Sequence, residues 1–309
     1  MAKRKPKRST RPAARRPPPR ARVARRSTPA TWWWWLAIPL VVGAGFLLLN
    51  RGGGSSSRQG AFVGGDLHSL VADPATPNRL FVGGHQAVSE SRDGGRTWQP
   101  VRSLDNADAM GWAFVAKTVW QSGHPGLHHS ADGGQSFRQA NDGLPSTDVH
   151  ALGGTDRILY AASPAAGVFA STNDGAVWQM RTADVGQAFF GRILVDPTDP
   201  DHALAADARA GAVETADGGR TWRRLGGIDG ALWVAWRASD PGRIVVSGNG
   251  AARSDDGGRT WQRLDVPNGV SIVEADPTEG RRLWAAAHDG ARAKLWESTD
   301  VGVHWQSLQ

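Results

Sequence analysis

Six copies of one octapeptide, a wealth of glycine turn chemistry and one long apolar run near the N-terminus predict an all-β fold, a six-bladed β-propeller preceded by one transmembrane helix. The octapeptide occupies Ser91–Trp98, Ser130–Phe137, Ser171–Trp178, Thr215–Trp222, Ser254–Trp261 and Ser298–Trp305, with starts separated by 39, 41, 44, 39 and 44 residues. That period is the length of one four-stranded blade. The 39 glycines and 15 tryptophans set beside a single tyrosine suit a turn-dense β repeat better than a helical protein. The absence of cysteine excludes disulfides, thiolate zinc sites and cysteine catalysis.

Residues 1–30 carry 12 lysines and arginines, no acid, and low-complexity Pro/Arg/Ala sequence. Such a segment has too little to bury to fold, and it reads as a basic, disordered cytoplasmic tail. Its removal leaves 24 basic residues against 29 acidic ones, so the high overall pI belongs to the tail. A mildly acidic folded part argues against a nucleic-acid partner, which needs a basic face on the domain itself. Residues 31–50 follow as a signal anchor. Trp32–Leu49 is free of charge, and its 18 residues rise about 27 Å as a helix, close to a hydrocarbon core of about 30 Å. The run is too long for a signal-peptide apolar region and ends without a small-residue cleavage site. The charge asymmetry across it places the N-terminus in the cytoplasm and the remainder outside, periplasmic or at the cell surface. Residues 51–65 open with Arg-Gly-Gly-Gly-Ser-Ser-Ser, a flexible linker, and 66–309 form the propeller.

Within each unit a short β run precedes the octapeptide, as in Leu80-Phe81-Val82, Val119-Trp120 and Ile244-Val245-Val246. Before four of these runs sits an Asp-Pro turn, at Asp73, Asp196, Asp240 and Asp276, and an apolar strand lies upstream of that. Each unit thus reads strand, Asp-Pro turn, strand, loop, strand, octapeptide turn, strand. The octapeptide suits a hairpin: Asp93, Asp132, Asn173, Asp217, Asp256 and Asp300 can accept turn N–H groups, and the following glycines supply positive φ. The closing aromatic ring packs on the blade. The third copy departs at Asn173 and Val177, which predicts a looser turn. The last unit has its own final strand, Trp305–Leu308, so closure is expected to need no N-terminal strand.

The pattern Ser-x-Asp-x-Gly-x-Thr-Trp resembles the Asp-box, or BNR, motif of sialidases, sortilin-type receptors and photosystem II assembly factors. The landmarks His68–Pro74, Gly83–His85, Met110–Ala113, Ser122–Gly126 and Asp148–Leu152 look like a bacterial subgroup of glycosyl-hydrolase-like or exo-alpha-sialidase-like proteins. The resemblance to sialidases implies an arginine triad, an Arg-Ile-Pro motif and a tyrosine nucleophile. No Arg-Ile-Pro occurs, the nearest text being Arg192-Ile193-Leu194, and the only tyrosine, Tyr160, falls on a core strand position. True sialidase chemistry is therefore not expected. A glycosidase of another kind would need two carboxylates on the face opposite the Asp boxes; Asp66, Asp148, Asp207 and Asp289 stand there, with Asp66 and Asp148 the catalytic candidates.

Five of nine histidines fall at that same end by the repeat alignment. His68 and His150 begin first strands, while His85, His124 and His288 lie at turns between second and third strands. Their convergence would make a ligand site, with Arg192 supplying charge and Trp112 a stacking surface. His68, His85, His124 and His150 would be the metal ligands, and a transition metal is the one cofactor the sequence suggests, since neutral imidazole binds such ions. The leading reading is a non-catalytic, membrane-anchored module binding a protein or a glycan on the loop face. A glycoside hydrolase-like enzyme and a metal or small-ligand sensor are the alternatives.

Overall fold

The computed structural model describes residues 59–237 and 240–309. Their strands form six consecutive antiparallel four-stranded meanders. After a short β1 (Ala61–Phe62), the first meander comprises β2 (Leu67–Ala72), β3 (Leu80–Gly84), β4 (Val88–Ser91) and β5 (Gln99–Pro100); the second comprises β6 (Asp108–Val115), β7 (Thr118–His124), β8 (Gly126–Ser130) and β9 (Arg138–Gln139). The third is β10 (Ala151–Gly154), β11 (Leu159–Ser163), β12 (Gly167–Ser171) and β13 (Gln179–Thr182), and the fourth β14 (Phe189–Val195), β15 (Ala203–Asp207), β16 (Gly211–Thr215) and β17 (Arg223–Gly226). The fifth is β18 (Ala231–Arg237), β19 (Asp240–Gly248), β20 (Gly250–Ser254) and β21 (Gln262–Leu264), and the sixth β22 (Val270–Ala275), β23 (Leu283–Asp289), β24 (Arg292–Ser298) and β25 (Gln306–Ser307). Among the described residues no helix is long and apolar enough to cross a membrane. The expected tail and span, 1–30 and 31–50, lie outside the described residues.

The first strands of the meanders pack side by side in order, and β22 lies against β2. They are the most apolar strands, and they approach unusually closely where glycine permits it. A Cβ on Gly153 would sit 1.5 Å from the Ile193 carbonyl oxygen, and there β10 and β14 pair directly in parallel (Ala151 with Gly191, Leu152 with Arg192). Aromatic rings fill the space between neighbouring sheets, with Phe81 stacked on Trp112 at 5.1 Å and Phe189 edge-on to Trp222 at 4.8 Å.

The six octapeptide turns share one hydrogen-bond scheme. In the first, Asp93 Oδ1 accepts from the Arg96 and Thr97 N–H groups (3.0 and 2.9 Å), Oδ2 accepts from the Thr97 hydroxyl (2.6 Å), and Ser91 Oγ accepts from Gly95 N–H (2.9 Å). Trp98 Nε1 donates to the Gly95 carbonyl at 3.1 Å, which seats its ring over the blade edge. The sixth turn replaces the Thr hydroxyl by an imidazole, His304 Nδ1 lying 2.6 Å from Asp300 Oδ2. The third turn keeps only part of the scheme, in line with the looser turn expected there: Asn173 Oδ1 still takes Val177 N–H at 2.9 Å and Ser171 Oγ still takes Gly175 N–H at 3.0 Å, but Ala176 N–H turns to the Asn173 carbonyl and Trp178 Nε1 has no partner among the described residues. An amide oxygen accepts from backbone as a carboxylate does, and Val177 removes the hydroxyl bond that Thr97 makes in the first turn.

These bonds favour the ionised box carboxylates. Hydrogen bonds from the Thr221 side chain and backbone lower Asp217 to about 2. Because its folded pKa lies below its unfolded one, Asp217 contributes stability above roughly pH 4 that is lost as pH falls through about 2. Asp217→Asn removes that ionisable group, so it is expected to destabilise the domain at pH 7, by an amount that shrinks towards pH 2, and so to flatten part of the acid loss between those limits. Thermal midpoints measured across pH 2–6 check this; an unchanged acid slope would contradict it.

The closure of the ring differs from expectation. β24 carries two partners on one edge: β25 (Trp296 with Ser307, Glu297 with Gln306) and β1 (Ala61 with Ala293, Phe62 with Arg292). The C-terminal strand is too short to cover all of β24, and the N-terminal strand pairs with the remaining edge, which would otherwise expose unpaired N–H and C=O groups. The folded part therefore begins before residue 66, inside the segment expected to be linker. Arg282 reinforces the same seam. Its Nη1 donates to Asn78 Oδ1 of the first meander at 2.6 Å, while Nε lies 2.6 Å from Glu297 Oε1 and the guanidinium covers the Trp284 ring at 4.3 Å.

Candidate functional site

The strand directions place the Asp-Pro and Asp-box turns at one end of the molecule and the starts of the first strands at the other. At the latter end the first strands are irregular in five of six meanders, with register shifts at Leu67/Ser69, Ala109/Gly111, Phe190/Ile193, Ala231/Trp233 and Val270/Ile272. A bulge re-aims the side chain it displaces. The bulged residue of β2 is His68, and its Nδ1 lies 2.5 Å from Asp108 Oδ1 on the neighbouring meander.

Asp108 is the hub of a larger cluster. Its Oδ2 lies 2.9 Å from His124 Nδ1 and 3.6 Å from His85 Nδ1. His124 Nε2 in turn lies 2.6 Å from Asp148 Oδ1, and His150 Nε2 reaches that same oxygen at 2.8 Å. Four imidazoles and two carboxylates from three meanders thus form one connected network. A ring from the fourth meander backs it: Phe190 meets His68 and His150 edge-on at 5.7 and 5.8 Å. The His124 ring faces His150 at 5.4 Å. His85 and His124 are exposed, His68 and His150 half-buried, and Asp108 buried.

The electrostatics divide the histidines. The hydrogen bond to Asp108, helped by Asp148, raises the pKa of His124 against the opposing effect of burial. Burial lowers that of His150, outweighing the attraction of Asp148. Burial would raise Asp108, but hydrogen bonds from His68 and His124 and the charges around it bring it below the usual carboxylate value. The network therefore favours the protonated form of His124 and the neutral form of His150, both on Asp148, an arrangement able to donate to, accept from or ligate whatever enters the mouth.

The other expected site residues lie elsewhere. His288 is exposed near the end of β23, in the last meander, paired with Ala293 and outside the network. Trp112 is wholly buried, stacked on Phe81, with its Nε1 donating to Ser69 Oγ at 2.9 Å. It is a core residue rather than a stacking surface, because alternation along β6 turns it inward between the first two sheets. Arg192 is committed to an ion pair with Glu274 at 2.8 Å, away from any free ligand-binding role. Glu274 also accepts from Trp233 Nε1 at 2.7 Å, and complete burial, resisted by Arg192, pushes it up to about 7. Arg192, Glu274 and Trp112 help line a cavity of about 410 Å³ at the Asp-Pro end. Asp66 is exposed, its carbonyl accepting from His85 N–H at 3.2 Å. Asp207 caps its own turn through Arg209 N–H at 2.7 Å, and Asp289 pairs with Lys294 at 3.1 Å. The residues that sequence reasoning missed are Asp108 and Phe190. Asp108 had a signal, a lone carboxylate at the head of the otherwise apolar run Asp108–Val115.

Repeated Asp-box turns on six antiparallel meanders, with first strands lining the centre, define a β-propeller type of repeat protein. The comparisons with known proteins agree. The model of the photosynthesis system II assembly factor YCF48 family matches residues 71–193, and that of the BNR/Asp-box repeat matches 252–263. In its repeated motif and in its fold the chain resembles the BNR-type propellers. No curated protein matches its sequence. Among solved structures it resembles the GH74 enzyme of Niastella koreensis (16% identity, TM-score 0.57, 80% of this chain and 46% of that one). It also resembles the GH74 xyloglucanase of Xanthomonas campestris (16%, TM-score 0.56, 81% and 46%) and a structure of YCF48 bound to D1 peptide (19%, TM-score 0.52, 81% and 84%). The chain spans less than half the length of the two GH74 structures, and likeness at these identities is one of fold.

Proposed function

We propose that this chain is a membrane-tethered, extracytoplasmic six-bladed propeller that binds a protein segment at its histidine-bearing mouth and performs no catalysis. The observation that carries the reading is the convergence of His68, His85, Asp108, His124, Asp148 and His150, from three meanders, on one partly exposed mouth. A rigid disc offering an ionisable, partly open surface suits recognition of a polar or charged peptide. A propeller of similar fold, YCF48, takes a peptide, and this chain covers 84% of its length. The carboxylates at the mouth are engaged by histidines, and Tyr160, the residue a sialidase-like nucleophile would require, is buried with its pKa pushed up to about 12 by that burial. Anchoring rests on the apolar run at 31–50, and orientation on the basic residues preceding it.

Site-specific photo-crosslinking in intact cells tests the binding face. A photoreactive residue at exposed Gln86, beside His85, is expected to give a discrete protein adduct. The same residue at exposed Gln135, in the second Asp-box turn, is expected to give none. Adducts confined to Gln135, or identical from both positions, would overturn the proposal.

A further inference from the structure

The mouth holds more nitrogen and oxygen donors than peptide binding requires, and their arrangement is specific. In the triad His124, Asp148 and His150 one ligand atom from each residue lies within 4.8 Å of the others. An ion bound tetrahedrally at about 2.0–2.1 Å needs donors roughly 3.3 Å apart, so small side-chain rotations suffice to close the set. The present contacts, His124 Nε2 to Asp148 Oδ1 at 2.6 Å and His150 Nε2 to the same oxygen at 2.8 Å, are made by a proton where a cation could stand. The opposite nitrogen of His124 faces the buried carboxylate of Asp108 at 2.9 Å. A carboxylate behind a histidine is the arrangement that fixes the tautomer and orientation of a metal-binding imidazole. Asp108 is itself fixed by His68 at 2.5 Å.

We propose that His124 (through Nε2), Asp148 and His150 form a binding site for one divalent transition-metal ion of the zinc class, with Asp108 as the positioning residue that orients His124. Two imidazoles and one carboxylate select zinc, copper, nickel or cobalt over calcium and magnesium, which prefer all-oxygen sets. Three protein ligands leave a coordination position open, directed to a mouth where His124 is exposed. Binding replaces the shared protons of the triad and releases them to solvent. The inference is independent of the partner-binding proposal, since it concerns this chain and an ion alone.

The test uses the full chain, purified in detergent without a polyhistidine tag, stripped with a chelator and titrated with Co²⁺ alone. Equilibrium dialysis with elemental analysis is expected to show about one ion per chain, accompanied by visible d–d absorption from nitrogen and oxygen ligation. His124→Ala and His150→Ala should each abolish that absorption. Asp108→Asn should weaken binding about 10- to 100-fold while leaving the shape of the spectrum unchanged. His288→Ala should leave both affinity and spectrum as they are. Near-ultraviolet circular dichroism in the chelator confirms that each variant is folded. Binding that survives in folded His124→Ala and His150→Ala, or that depends equally on His288, would overturn the assignment, as would failure of the folded wild-type chain to take up the ion.

Discussion

Arg282→Ala will destabilise the folded domain by about 3–5 kcal/mol, the range for removing one partner of a buried ion pair. The arginine is almost fully buried, and it satisfies Asn78, Glu297 and Asp276 while its guanidinium covers Trp284. Truncation leaves buried Asp276 without its cation, leaves half-buried Glu297 with only the more distant Arg96, and strips a ring of its cover. Because Asn78 belongs to the first meander and Glu297 to the last, the loss falls on the seam that closes the ring. Arg96 touches the same Glu297 at 3.5 Å but is half exposed, so Arg96→Ala should cost less than about 1 kcal/mol. Chemical denaturation of both variants separates the two cases; equal effects would mean that the seam does not depend on Arg282.

Trp112→Ala is expected to cost a comparable 3–5 kcal/mol, since a fully buried indole is replaced by a cavity. The ring fills the space between the first two sheets, against Phe81 at 5.1 Å and edge-on to Phe137 at 6.1 Å. Its Nε1 supplies the donor that Ser69 Oγ accepts while Ser69 itself donates to the Ala109 carbonyl at 2.8 Å. Trp112→Phe retains most of the apolar contact but removes that donor, and should cost distinctly less. A ligand-stacking tryptophan would behave differently: the alanine variant would keep its stability. The denaturant midpoint of the variant therefore decides between core and binding roles.

Much of the architecture was legible because its signals are local. Each Asp-box turn is specified by an acceptor, a positive-φ glycine and a hydroxyl within eight residues, and such chemistry survives being read one segment at a time. The placement of His68, His85, His124 and His150 at one end followed from repeat alignment, since strand direction alternates predictably through an antiparallel meander. The failures involve information that is not local. Trp112 and Arg192 lie on the inner strands, where a bulge of one residue decides whether a side chain faces the centre, the neighbouring sheet or the mouth. Asp108 gains its role from His68, His85 and His124, which reach it from other strands, and nothing beside it in the sequence announces them. The pairing of β1 with β24 joins residues at opposite ends of the domain. It depends on how much of an edge β25 leaves uncovered, a quantity fixed by strand lengths in three dimensions.

The central claim, that the histidine-bearing mouth is where a protein partner is held, is tested most directly by the yield of the Gln86-derived crosslink in a charge-reversal variant. Asp148→Arg places a cation beside His124 and His150 without disturbing a buried residue. It is expected to reduce the adduct at least tenfold, equivalent to about 1.4 kcal/mol of binding. Arg259→Glu, an exposed change in the fifth Asp-box turn at the other end, is expected to leave the yield unchanged. An adduct unaffected by Asp148→Arg but lost with Arg259→Glu would contradict the account and move the partner to the Asp-box face.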